Sequence, residues 1–173
     1  MKRIVTVCML LAALFVGVSC TKRGDTNSYK DSVTRALEQA DLKGITVSED
    51  RDKNTITLGG KLHSDEAKSR AGEVAKSAAP PRVIANEISV QPVGQESEAR
   101  TVTSNLDDGI EKNYKAALIA SHLDKQHIRF AASNGVLTLN GTVKSAGQKQ
   151  EAEKLAAKVP NVKQVVNQLD VRG

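Results

Sequence analysis

The sequence predicts an α+β protein of two tandem domains in the order α-β-β-α-β, each a small three-stranded mixed sheet covered by two helices. The main observation is a pattern that occurs twice. Ile56-Thr57-Leu58-Gly59-Gly60-Lys61-Leu62 parallels Leu137-Thr138-Leu139-Asn140-Gly141-Thr142-Val143. At the same spacing Ala71 meets Ala152, Ala75 meets Ala156, Asn86 meets Asn167 and Val90 meets Val171. An ungapped match through strand, helix and strand marks an internal duplication. The second observation is hydrophobic period, which changes within each copy from helical spacing to strict alternation and back. The third is a polar stretch, 92–103, between the copies, which reads as a linker joining domain 28–91 to domain 104–173.

Each element has its own signal. Ser28-Tyr29-Lys30-Asp31 is close to a capping box, and Val33, Ala36, Leu37 and Ala40 then share one helical face. Ser104-Asn105-Leu106-Asp107 is expected to open the matching helix, with Leu106, Ile110, Tyr114, Ala117 and Leu118 as its buried stripe. Ile45 to Glu49 and Thr55 to Leu62 alternate as half-buried strands do, as do Ile128 to Ala132 and Val136 to Val143. Asn134-Gly135 is a strong hairpin turn because both residues tolerate positive φ; Lys53-Asn54 is its counterpart. The second helices begin at Ser64 and at the capping box Ser145-Ala146-Gly147-Gln148, and stop at Pro80-Pro81 and Pro160. Ala152, Leu155, Ala156 and Val159 face inward on the later one. Val83 to Val90 and Val162 to Val171 close the copies as strands. With no Trp, and only Phe15, Tyr29, Tyr114 and Phe130 as aromatics, the cores must be aliphatic.

Residues 1–19 read as an export signal: Lys2 and Arg3, an apolar run from Ile4 to Val18, then Ser19. The run is shorter than the roughly 20 residues that span a bilayer. Gly17-Val18-Ser19-Cys20 resembles a lipobox, although Gly17 stands where Leu is usual. The resemblance implies cleavage before Cys20 and acylation of its thiol with palmitate-like chains, leaving 20–27 as a lipidated tether. Cys8 would leave with the signal, so the mature chain would hold one cysteine and form no internal disulfide. Thr21, not Asp, follows Cys20, which by resemblance to known sorting rules implies the outer membrane, facing the periplasm.

Gly135-Val136-Leu137-Thr138-Leu139-Asn140-Gly141-Thr142-Val143, followed by a helix and Asn161-Val162-Lys163-Gln164-Val165-Val166-Asn167-Gln168-Leu169-Asp170-Val171, resembles the BON domain of exported bacterial proteins. The first copy diverges, with Asn54-Thr55 in place of Gly-Val and Pro80-Pro81-Arg82-Val83 at the later step. The resemblance to dual-BON envelope lipoproteins implies a non-enzymatic protein whose second copy binds anionic phospholipid and supports envelope integrity. A resemblance to soluble osmotically inducible members implies the alternative, a periplasmic stress-protective or protein-interaction module.

No catalytic residue, cofactor site or metal site is expected. His122 and His127 are five apart, off a common helical face, and His63 is isolated. No Ser or Cys sits in a nucleophile elbow. Gly59-Gly60 lacks the glycine pattern of a phosphate loop and reads as a close strand approach. The net charge of +5 includes Lys2 and Arg3, which would leave with the signal; the first copy is close to neutral and the second is basic, through Lys125, Arg129, Lys144, Lys149, Lys154, Lys158 and Lys163 among others. Lys149, Lys154 and Lys158 are therefore the candidate lipid-binding residues, with the membrane, anionic phospholipid or envelope proteins as expected partners. Nucleic acid is not expected, because no exposed aromatic set is available for stacking.

Overall fold

The computed structural model describes residues 28–172. Cys20, the signal segment and the tether lie outside them. Helix α1 (Tyr29–Gln39) precedes strands β1 (Ile45–Asp50) and β2 (Thr55–Leu62), helix α2 (Asp65–Ala78), and strands β3 (Val83–Asn86) and β4 (Ser89–Val90). The second domain follows as α3 (Glu96–Ala120), β5 (His127–Ser133), β6 (Val136–Val143), α4 (Ala146–Ala157) and β7 (Gln164–Val171). In each sheet the second strand is central, antiparallel to the first and parallel to the third.

The third strand of the first domain is expected as one run and is found as two. β3 and β4 pair β2 in a single register, Thr55 with Val83 and Lys61 with Ser89, and the break falls opposite Gly59-Gly60. β7, by contrast, pairs β6 without interruption from Gln164 to Val171. The second glycine of the motif has the same role in both domains. Gly60 sits at φ +107°, and a Cβ there would meet the Gly44 carbonyl; Gly141 sits at φ +112°, and a Cβ would meet that of His127. Both are left-handed positions where a neighbouring backbone comes too close for a side chain.

The helix stripes bury as the spacing demands. Val33 and Leu37 of α1 and Ala71 and Ala75 of α2 pack on Ile56 and Leu58. Ile110, Tyr114 and Leu118 of α3 and Ala152 and Ala156 of α4 pack on Leu137 and Leu139. Tyr114 is fully buried, meets Phe130 edge-on at 5.0 Å and donates its hydroxyl to the Ala152 carbonyl. Burial holds its phenol well above the ordinary range.

Two helix starts differ from expectation. Ser64 and Ser145 cap as their sequences imply, accepting the N–H groups of Ala67 and Gln148. Ser28 does not cap α1; its hydroxyl instead donates to Glu49 of β1 at 2.9 Å. Ser104 starts nothing. α3 begins at Glu96, so the stretch expected as a polar linker is mostly helix and Ser104 is an exposed mid-helix residue. The physical reason is local: no Gly or Pro lies between Gly94 and Ser104, Glu96 and Glu98 favour the positive helix end, and Glu96 accepts the Gly94 N–H at 2.9 Å. Leu106, expected in the core, is 43% exposed; it lies one turn before Ile110, the first buried residue of α3.

The domains meet edge to edge through β3 and β7. The Gln164 amide stands in for a strand peptide on β3, donating to the Ile84 carbonyl and accepting the Asn86 N–H. Gln168 donates to Thr55 Oγ1 at 2.9 Å, and Lys53 donates to Asp170 at 2.8 Å. Ala85, Val136 and Val166 form a small apolar cluster across the seam. The contacts are quasi-symmetric: Lys53 reaches the Gln168 carbonyl, and its repeat counterpart Asn134 reaches that of Glu87, the counterpart of Gln168. The seam thus covers two sheet edges that would otherwise be free to pair with other strands.

Candidate functional site

The candidate lipid-binding lysines divide. Lys154 in the last turn of α4 and Lys158 at its C-cap, four residues apart, are both exposed and border one shallow depression together with Glu151. Their outward direction follows from Ala152 and Ala156, which occupy the inward face. Lys149 is half-buried, its carbonyl accepts Asn167 Nδ2 at 3.1 Å, and its charge acts on Asp170. That carboxyl is held below its ordinary value first by the hydrogen bond from Lys53 and only to a lesser degree by Lys149. The fold therefore unites Lys154 with Lys158 and sets Lys149 apart.

The histidines do not converge. His63 Nδ1 lies 2.9 Å from the Gln91 carbonyl, His122 caps its own helix end near the Ile119 carbonyl, and His127 is an exposed residue of β5. Among the described residues no cluster of three or more His, Cys, Asp or Glu is arranged to hold a metal ion. No described helix is long and apolar enough to cross a membrane.

A second feature was not expected from the sequence. The early turns of α3 run beside the domain seam and close a groove of about 540 Å³ between the domains. Its α3 wall carries Val102 and Leu106, 57% and 43% exposed. Val90 and Pro92 face it from the first domain and Val162 from the second. Polar groups converge on the seam side. Asp107 accepts the N–H groups of Asn134 and Gly135 at 2.7 and 2.9 Å, which fixes the hairpin turn. Lys68 donates to the Asn134 carbonyl at 3.2 Å, and Lys163 lies 3.8 Å from Asp65. Burial, and secondarily the charge of Lys163, holds the Lys68 ammonium below its ordinary value. Glu87, also near the seam, is raised first by burial and further by Asp107, against hydrogen bonding from Ser133. The signal that could have located the groove was Ala99 and Val102 in the stretch read as linker, at helical spacing with Leu106 just beyond it.

The BON domain family matches the sequence twice, over residues 25–92 and 106–173. The chain belongs to the BON-domain family. Its two BON domains correspond to the two α+β units described above. A curated relative, Osmotically-inducible protein Y of Escherichia coli (strain K12), is 27% identical over 150 residues, covering 86% of this chain and 73% of that protein. A solved structure, the C-terminal domain of CdsD, the structural protein of the Type III secretion system of Chlamydia trachomatis, matches with a TM-score of 0.34 at 13% identity. That match covers 83% of this chain and 64% of the other.

Proposed function

We propose that this dual-BON protein is a non-enzymatic binding protein of the bacterial envelope. In this reading acylated Cys20 tethers it to a membrane, taken as the outer membrane facing the periplasm, and the second domain holds anionic phospholipid. The observation that carries the lipid reading is the exposed Lys154–Lys158 pair on a helix whose other face is locked into the core. A basic residue close to an anionic bilayer contributes about 1 kcal/mol, so two give a contact that is weak alone and useful beside a lipid anchor. Glu151 and Glu153 on the same helix moderate the field and make the contact sensitive to salt.

Flotation of the intact chain with phosphatidylglycerol-containing vesicles, compared with neutral phosphatidylcholine vesicles, tests this reading. The expected result is preferential retention on anionic vesicles, lost in K154E/K158E and at high salt. Equal and poor retention on both would sink lipid recognition. Mass spectrometry of the membrane-extracted protein tests the anchor, with a diacylglyceryl group on Cys20 as the expected result. A second reading, a stress-protective or protein-interaction module of the periplasm, is favoured by the name of the Escherichia coli relative, an osmotically inducible protein. It predicts a free thiol, no vesicle binding and suppression of client aggregation.

A further inference from the structure

We propose that the outer edge of β5 is an interface between two copies of this chain, which pair antiparallel about Phe130 and continue their sheets across a two-fold axis. This interface rests on neither the α4 lysines nor the anchor at Cys20. The seam uses up β3 and β7 and leaves β1 and β5 as the outer strands, each hydrogen-bonded to one neighbouring strand among the described residues. The Ala132 N–H turns away from β6 to Glu111. Outward and inward groups alternate along an antiparallel strand, so Ile128 and Phe130 also direct their N–H and carbonyl groups outward. No backbone hydrogen bond from another described element reaches them.

The internal repeat supplies a control. Ile45 pairs with Gly60 and Ile128 with Gly141, so β1 and β5 align through the shared glycine. At matched places β1 has Glu49 and Asp50 where β5 has Ala132 and Ser133, and α1 has Glu38 where α3 has Ile119. Charges at or beside an edge strand discourage further pairing, and the second domain lacks them at these places. Ile119 is 53% exposed and, with half-buried Ile128 and Phe130, lines an open hollow of about 380 Å³ beside the edge.

The occupant is a second copy because the strand is complementary to itself. About a two-fold axis through Phe130, that residue exchanges both its backbone bonds with its mate. The Ile128 N–H meets the Ala132 carbonyl of the second copy, and only the Ala132 N–H, already held by Glu111, stays out of the ladder. Ile128, Phe130 and Ala132 share the face that looks toward α3, so the apolar hollows of the two copies meet and cover one another. On the other face Arg129 lies opposite Ala131 and His127 opposite Ser133, so no like charges are opposed. Other registers fit less well. A two-fold axis through Arg129 sets two guanidinium groups against each other, and one through Ala132 needs at its centre the N–H that Glu111 holds.

Replacing residues 1–19 by a cleavable leader and introducing C20S gives a chain free of acyl groups and thiols that keeps every described residue. Sedimentation velocity of this chain across the micromolar range is expected to show a reversible equilibrium that stops at the dimer. I119E, at an exposed position, is expected to weaken association more than tenfold. A131K, also exposed, sets a second cation opposite Arg129 and weakens it about three- to tenfold, whereas A131E supplies an ion pair and strengthens it by a similar factor. S48K, at the matched place of β1, leaves it unchanged. Circular dichroism checks that each variant is folded. A monomer at every concentration, growth beyond the dimer, or undiminished association in folded I119E and A131K overturns the interface. Equal responses to A131K and A131E overturn the register about Phe130, and a loss in S48K as large as that in A131K overturns the choice of β5 over β1.

Discussion

The two BON domains share a core plan and differ in how they secure the hairpin and the start of the first helix. In the first domain β1 and β2 join through a four-residue turn, Arg51 to Asn54, and only Asn54 has positive φ. Glu49 then does the work of a cap: it accepts Ser28 Oγ and, at 3.5 Å, the Tyr29 N–H, and it pairs with Arg82 at 3.1 Å. Arg82 also donates to Asn54 Oδ1 and lies 5.1 Å over the Tyr29 ring. In the second domain the turn is the two-residue Asn134-Gly135 pair, both at positive φ, and Asp107 of α3 holds it directly. Ala132, near the end of β5, donates its N–H to Glu111 of the same helix. The fixed element of the repeat is therefore the packing of helices on the central strand. The polar fastening is free to diverge, because different carboxylates satisfy the same need for buried acceptors.

Substitutions at matched places sharpen this contrast. Tyr114→Ala carries the largest expected effect, about 3–5 kcal/mol by the usual cost of deleting a buried aromatic ring. Its repeat counterpart Val33→Ala removes less volume and is expected to cost less; chemical denaturation of both variants decides it. Equal losses would show that the two cores do not depend on their helices in the same way.

Glu49→Gln comes next, at about 3 kcal/mol, because it leaves the Arg82 guanidinium without its charged partner just below the surface. Burial raises the Glu49 carboxyl, but hydrogen bonds from Ser28, Tyr29 and Lys30 and the charge of Arg51 outweigh it, so the net shift is below the ordinary 4.5. With a depressed native value, its stabilisation is complete above pH 4.5 and is lost as pH falls through the lower native value. Acid titration followed by denaturant melts is expected to show this loss in the native chain and not in Glu49→Gln. An identical acid response in both would assign the effect to other carboxyls.

Asp107→Ala removes two charge-assisted hydrogen bonds to the turn, an expected loss of about 1.5–3 kcal/mol. Amide exchange should rise at Asn134 and Gly135 while Asn54 is unaffected. The smallest effect belongs to the seam. Gln164→Ala costs about 1 kcal/mol and is expected to speed exchange at Asn86, whose N–H it exposes. If exchange at Asn86 does not change, β3 and β7 are held by the apolar cluster and the Lys53–Asp170 pair instead.

Much of this molecule was legible residue by residue. Alternation in Ile56 to Leu62 and Leu137 to Val143 marks the central strands because side chains on a strand alternate faces, and the repeat spacing locates the alanines that pack on them. The tight approach at Gly60 and Gly141 and the Asn134-Gly135 turn follow from local backbone sterics. Lys154 and Lys158 are visible as an outward pair because a helix interior dictates its opposite face.

What sequence alone determined, then, is the interior of each domain, since hydrophobic period and backbone sterics act over a few residues and need no distant partner. Only the tertiary structure decided the carboxylate that replaces Ser28 as a cap, the seam between the domains, and the groove beside Val102 and Leu106. Each of these depends on residues far apart in the chain. Glu49 of β1 meets Ser28 at the start of α1, Gln164 meets Ile84 across the seam, and Lys68 reaches the Asn134 carbonyl only after the two domains have met. Local pattern carries no record of those distances, because long-range contacts are set by how finished domains fit together.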